Sequence, residues 1–111
     1  MTNKEIALKV ADILDNKKGN DIVILDVSQN TSYADYFVIV SGNSDRQVET
    51  LAEEVDEVLF KEGVRLINQE GKNSGWVLLD FGDIIVHIFL EEQRRHYNLE
   101  KLWSDSIIVE R

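Results

Sequence analysis

Two apolar runs near the middle of the second half, Trp76 to Asp80 and Asp83 to Leu90, are separated by Phe81 and Gly82 alone. A gap this short admits only antiparallel pairing, because a parallel crossover needs about a dozen residues or more. The fold must therefore contain this hairpin. With Phe81 and Gly82 as the turn, counting outward sets Asp80 against Asp83, Leu79 against Ile84, Leu78 against Ile85, Val77 against Val86 and Trp76 against His87. One face of the hairpin is then aliphatic, with Val77, Leu79, Ile84, Val86, Ile88 and Leu90. The other mixes Trp76, Leu78, Asp80, Asp83, Ile85, His87 and Phe89.

The aliphatic face needs a layer to pack against, and the sequence supplies amphipathic helices. Ser44 is a good N-cap with Gln47 in the capping-box position, and Val48, Leu51, Ala52, Val55, Val58 and Leu59 form one apolar stripe behind it. Gly63 closes this helix. An earlier stripe of Ile6, Val10, Ile13 and Leu14 predicts a helix over Asn3 to Lys17, with Gly19 and Asn20 as stop signals. Ile22 to Val27 and Ala34 to Ser41 read as strands, dense in β-branched residues. Val64 to Asn68 reads as a short strand, Glu70 to Gly75 as a loop, Tyr97 to Trp103 as a helical turn or two, and Ile107 to Val109 as a weak apolar tail. A strand, helix, strand unit around Ser44 to Glu62 favours a parallel pair, whereas the hairpin is antiparallel. The expected fold is α/β (α+β), a mixed sheet of about five strands with helices on one face. At 111 residues, with no Pro-rich or low-complexity linker, residues 1–111 are expected to form a single domain.

The mixed hairpin face has the composition of a partner-binding surface, and Trp76 at its centre would contribute about 2 kcal/mol or more as a hot spot. The competing expectation is permanent coverage by another element or by a second copy of the chain. Asp80 and Asp83, opposed in this register, would repel by up to about 1 kcal/mol, a cost that a basic partner or a metal ion would relieve. Twelve Lys and Arg against 21 Asp and Glu give a net charge of -9. That charge disfavours phosphate backbones and anionic lipids and speeds encounter with a basic protein. Direct nucleic-acid reading and membrane binding are not expected. The polar face of the Ser44 to Glu62 helix, with Glu49, Glu53, Glu54, Asp56, Glu57 and Glu62, reads as a solvated surface.

Without Cys, disulfides, thiolate catalysis and the commoner zinc sites are excluded. No signal peptide or membrane-spanning run is visible, so a cytoplasmic location is expected, and the sequon at Asn30 to Ser32 is a chance match. Asp80, Phe81 and Gly82 spell the magnesium-binding triplet of kinases without the remaining kinase motifs. Ser41 and Gly42 reverse the Gly-Ser turn of nucleotidyltransferases, and two Asp are a thin ligand set for two-metal chemistry. Neither His87 nor His96 stands in a ligand pattern, so no catalytic residue, metal or cofactor is expected. Arg94 and Arg95 read as a small basic spot, and Arg46, unfavourable in a first helical turn, is expected to have a carboxylate partner.

Three segments carry a resemblance beyond composition: SYADYFVIVSGNSDRQV (Ser32 to Val48), EGKNSGWVLLDFGDIIVHIF (Glu70 to Phe89) and RRHYNLEKLW (Arg94 to Trp103). In order and spacing, from about Asn3 to Ser106, the chain closely resembles the Iojap-like family of ribosomal silencing factors. The resemblance implies a nucleotidyltransferase-like α/β fold without a demonstrated transferase site, and a translational repressor rather than an enzyme. It further implies binding to ribosomal protein L fourteen on the large ribosomal subunit, a steric block to small-subunit joining when nutrients are short, and a homodimer when free. Placed on this chain, the expected contact residues are Trp76, Leu78, Asp80, Asp83 and His87.

Overall fold

The computed structural model describes all residues from Met1 to Arg111. Helix α1 (Asn3–Asn16) is followed by strands β1 (Asn20–Asp26) and β2 (Tyr36–Gly42), helix α2 (Asp45–Lys61), and strands β3 (Asn68–Glu70), β4 (Trp76–Asp80) and β5 (Ile84–Leu90). Two short helices, α3 (Glu91–Tyr97) and α4 (Leu99–Leu102), lead into strand β6 (Ile107–Val109). All six strands form one sheet in the order β3-β4-β5-β2-β1-β6. The pairing of β2 with β5 is parallel and the others are antiparallel, so the sheet is mixed as expected.

Both long helices begin on side-chain caps. Thr2 accepts from the Glu5 amide at 3.1 Å while its own amide donates to the Glu5 carboxylate at 2.8 Å, a complete capping box. Ser44 accepts from the Gln47 amide at 3.1 Å. The Gln47 side chain then accepts from the Asn43 amide at 2.6 Å and donates to the Lys18 carbonyl at 3.0 Å, tying the start of α2 to the end of α1. The inward stripes of the helices, Ala7, Val10, Ala11, Ile13 and Leu14 with Val48, Leu51, Ala52, Val55 and Leu59, meet Ile24, Val38, Val40, Val77, Leu79, Ile84, Val86 and Ile88 of the sheet. Each fully buried Val, Leu or Ile side chain here contributes about 1.5–3 kcal/mol.

The hairpin register differs from the sequence expectation by two residues. Asp80 opposes Ile85, Leu79 opposes Val86, Leu78 opposes His87, Val77 opposes Ile88 and Trp76 opposes Phe89. Phe81 donates to the Ile84 carbonyl at 2.9 Å, which leaves Gly82 and Asp83 as the two turn residues. Gly82 takes φ +94, the positive value that the first central position of a type II′ turn requires. The cause lies in Phe81, which is 8% exposed and joins the helix-facing core, so it extends the inward series of Val77 and Leu79 instead of occupying the turn. A shift of two residues changes every partner yet leaves each side chain on its expected face, except Asp83, which moves from the mixed face into the turn.

Other expectations are also corrected. The sheet has six strands rather than about five, because Ile107–Val109 pairs with β1. The short strand lies at Asn68–Glu70 and not at Val64 to Asn68; Val64 and Leu66 pack against the core from an extended segment. Helices are not confined to one face, since α3 and α4 turn onto the other side. There Leu99 joins Leu25, Val27, Ala34, Phe37, Ile39, Ile85 and Phe89 in a second core. Arg94 is 9% exposed and is no surface basic spot. Arg46 is exposed and takes part in no ion pair.

Candidate partner-binding face

Strand pairing orders the second face of the sheet into rows. Reading across from the β3 edge, one row runs Glu70, Leu78, His87, Ile39 and Val23. The row on one side of it runs Trp76, Phe89 and Ser41, and the row on the other runs Asn68, Asp80, Ile85, Phe37, Leu25 and Ile108. Trp76, Leu78 and His87 are therefore adjacent, as the alternation required. Exposure falls across the row, with Glu70 exposed, Leu78 partly buried, and His87 and Ile39 buried.

The C-terminal segment covers part of this face. Arg94 anchors it, donating from Nε to Glu100 at 3.0 Å and from Nη1 to the Ser41 hydroxyl at 2.9 Å and the Asn20 carbonyl at 3.4 Å. Trp103 then packs edge-on against Phe37 with ring centroids 4.9 Å apart, and Tyr97 lies 4.6 Å from Trp76. Trp76 also stacks on Phe89 at 5.0 Å. An aromatic surface remains, made of Trp76 and Tyr97 with Leu78 beside them. Tyr97, at 45% exposed, was expected in a helical turn but not at the site. Glu70 was expected in a loop. Phe37 and Trp103 were likewise not anticipated here, although the alternation Phe37, Ile39, Ser41 along β2 is the signal that places Phe37 on this face.

His87 sits between these rings. The Trp76 indole Nε1 donates to His87 Nδ1 at 3.2 Å, and Phe37 meets the imidazole edge-on at 4.8 Å. Burial lowers the His87 pKa from 6.5 to about 4, so the ring is neutral at ordinary pH. Since Nδ1 accepts, the single proton of the neutral ring is on Nε2. That nitrogen is buried and has no hydrogen-bond partner, a deficit that typically costs about 1–3 kcal/mol.

The two aspartates do not act as a pair. Asp80 lies on the aromatic face, but its Oδ1 accepts from the Gly82 amide at 2.8 Å and so braces the turn. Asp83 is exposed at the turn, with Oδ2 accepting from Asn3 at 3.2 Å, and the same Asn3 nitrogen donates to Asp35 at 2.8 Å. The expected repulsion between opposed carboxylates is thus absent from the hairpin. No group of three or more His, Asp and Glu side chains is placed to hold a metal ion. The cavity between α2 and β4 is about 140 Å³ and lined by Asp45, Glu49, Glu53 and Asp56 among others, while wider and more open clefts lie elsewhere on the surface, one of about 580 Å³ beside Asp21, Ser41, Arg94 and Glu100. No helix is long and apolar enough to cross a membrane.

A mixed six-stranded sheet, two helices on one face and a half-covered aromatic patch on the other define a small α/β protein with a partly exposed aromatic face. Comparison with known proteins is specific about which. The family model described as "Ribosomal silencing factor during starvation" matches residues 1–111, and the chain belongs to that family. It is 40% identical over 111 residues to the ribosomal silencing factor of Bacillus subtilis, covering 99% of this chain and 94% of that protein. The factor of Halalkalibacterium halodurans is 39% identical, with 99% and 95% covered. A crystal structure of a Chromobacterium violaceum protein superposes with a TM-score of 0.90 at 38% identity, over 94% of this chain and 88% of that one. These relatives bear the names of regulatory factors rather than enzymes, and the family places this chain in translation regulation.

Proposed function

We propose that this protein represses translation by binding the large ribosomal subunit through ribosomal protein L fourteen and sterically blocking the small subunit, chiefly in starvation or stationary phase. Membership of the silencing family over residues 1–111 is the observation that carries this reading. The aromatic face supplies a means. Trp76 and Leu78 form its desolvated centre, His87 lies behind them, and Glu70 and Asp80 provide carboxylates on the same face for Lys or Arg of a basic protein. Asp83 belongs to a separate surface at the turn. Action follows from occupancy, so no catalytic group or cofactor is required, and the protein works in the cytoplasm.

Sucrose-gradient sedimentation with separated ribosomal subunits tests this. Wild type is expected to travel with large subunits and to suppress joined ribosomes. Trp76→Ala should lower binding tenfold or more, the loss of a hot spot of about 2 kcal/mol. Glu70→Lys, at an exposed site without an ion pair, should weaken binding with no cost to folding. A folded wild type that stays at the top of the gradient would refute the reading.

A further inference from the structure

The fold leaves one buried donor without an acceptor, and it lies within the aromatic face. His87 is 4% exposed, and the indole of Trp76 takes its Nδ1, which fixes the proton on Nε2. Nε2 is one bond further from the backbone than Nδ1. The rings around the imidazole are Phe37 at 4.8 Å, Trp76 at 5.9 Å and Phe89 at 6.4 Å, and none offers a strong acceptor. Leu78, directly across from His87, and Trp76 are both only partly buried. A protein bound to this face would approach the imidazole past these two side chains.

We infer that His87 is a specificity residue of this face, its Nε2–H donating a hydrogen bond to a backbone carbonyl of the bound protein. The inference rests on the proposed binding to the large subunit and adds the chemistry of recognition. A carbonyl is favoured over a carboxylate by charge. Glu70 closes the same row and Asp80 lies on the same face of a chain whose net charge is -9, so an acidic group approaching His87 meets repulsion. A neutral donor that is desolvated in advance gains a full partner on binding, whereas an isosteric apolar ring would gain none.

His87→Phe keeps an aromatic ring and removes the donor. Sedimentation with purified large subunits and thermal unfolding of the free protein are measured together. With wild type bound, His87→Phe is expected to bind about tenfold more weakly while its melting temperature changes little, because the unpartnered Nε2–H is removed and the partly exposed Trp76 indole, which loses its acceptor, can turn to water. A purely structural histidine would give the opposite pattern, a lower melting temperature with binding unchanged once folding is allowed for. His87→Gln restores an N–H donor and should recover most of the binding. If Phe is not accepted at this position, the comparison of His87→Leu with His87→Gln carries the same contrast. Equal binding by wild type and the donorless variants overturns the inference and leaves the proposed function standing. Wild type that fails to bind removes both.

Discussion

Acid is expected to act on the free protein through one side chain. His87 is held neutral by burial, with a pKa of about 4 against 6.5 when exposed. Between those values the unfolded chain binds a proton that the folded chain excludes, so the His87 contribution is intact above pH 6.5 and is lost as pH falls towards 4. The loss reaches about 3 kcal/mol at the bottom of that window. Urea denaturation of wild type and His87→Phe across this range should show the variant gaining on wild type as pH falls; parallel curves would contradict the assignment. The imidazole's place on the mixed face was legible from alternation along β5. Its pairing with Trp76 was expected directly across the hairpin and is instead diagonal between rows, because it depends on a register the sequence leaves ambiguous. Both Phe-Gly and Gly-Asp can be read as the turn, and only the burial of Phe81 decides between them.

At the level of elements, α1, α2, β1, β2, β4 and β5 follow from periodicity because each buries a stripe or a face of its own residues. The segment after β5 has no such pattern. In α3, EEQRRHY is polar throughout, and the local clue is its charge order, Glu91 and Glu92 in the first turn and Arg94, Arg95 and His96 in the last, which suits the helix dipole. What holds α3 and α4 in place is long-range, the buried Arg94 bridging to β2 and β1 and to Glu100. Arg94→Met should therefore cost about 3 kcal/mol or more, since it removes a charged donor set and leaves the Ser41 hydroxyl and Glu100 unpaired. Hydrogen exchange should quicken first across Asn98 to Ser106, with the central β5 and β2 amides still protected. Uniform loss of protection throughout the sheet would mean that the segment is integral to the core instead of an anchored cover.

The whole molecule presents a conflict of charge. At -9 it is repelled by a ribosomal subunit whose surface is mostly phosphate, yet the family acts on ribosomes. Length scale resolves it. At 0.01 M salt the Debye length is about 30 Å, close to the 33 Å extent of the molecule, so the chain feels the subunit's net charge; at 0.1 M it is about 10 Å, and on the proposed docking the local basic surface of a ribosomal protein would dominate. A protein that grips RNA phosphates loses affinity steeply as salt rises, because bound counterions are no longer released at a gain. Docking on a basic protein embedded in RNA predicts a different course. Binding to large subunits should hold or improve from 0.01 to 0.1 M salt, while binding to purified ribosomal protein L fourteen should weaken steadily across the same range. Equilibrium sedimentation against both targets reads out the contrast, and a steep linear fall with the logarithm of salt on the intact subunit would show that RNA, not protein, is the surface this chain recognises.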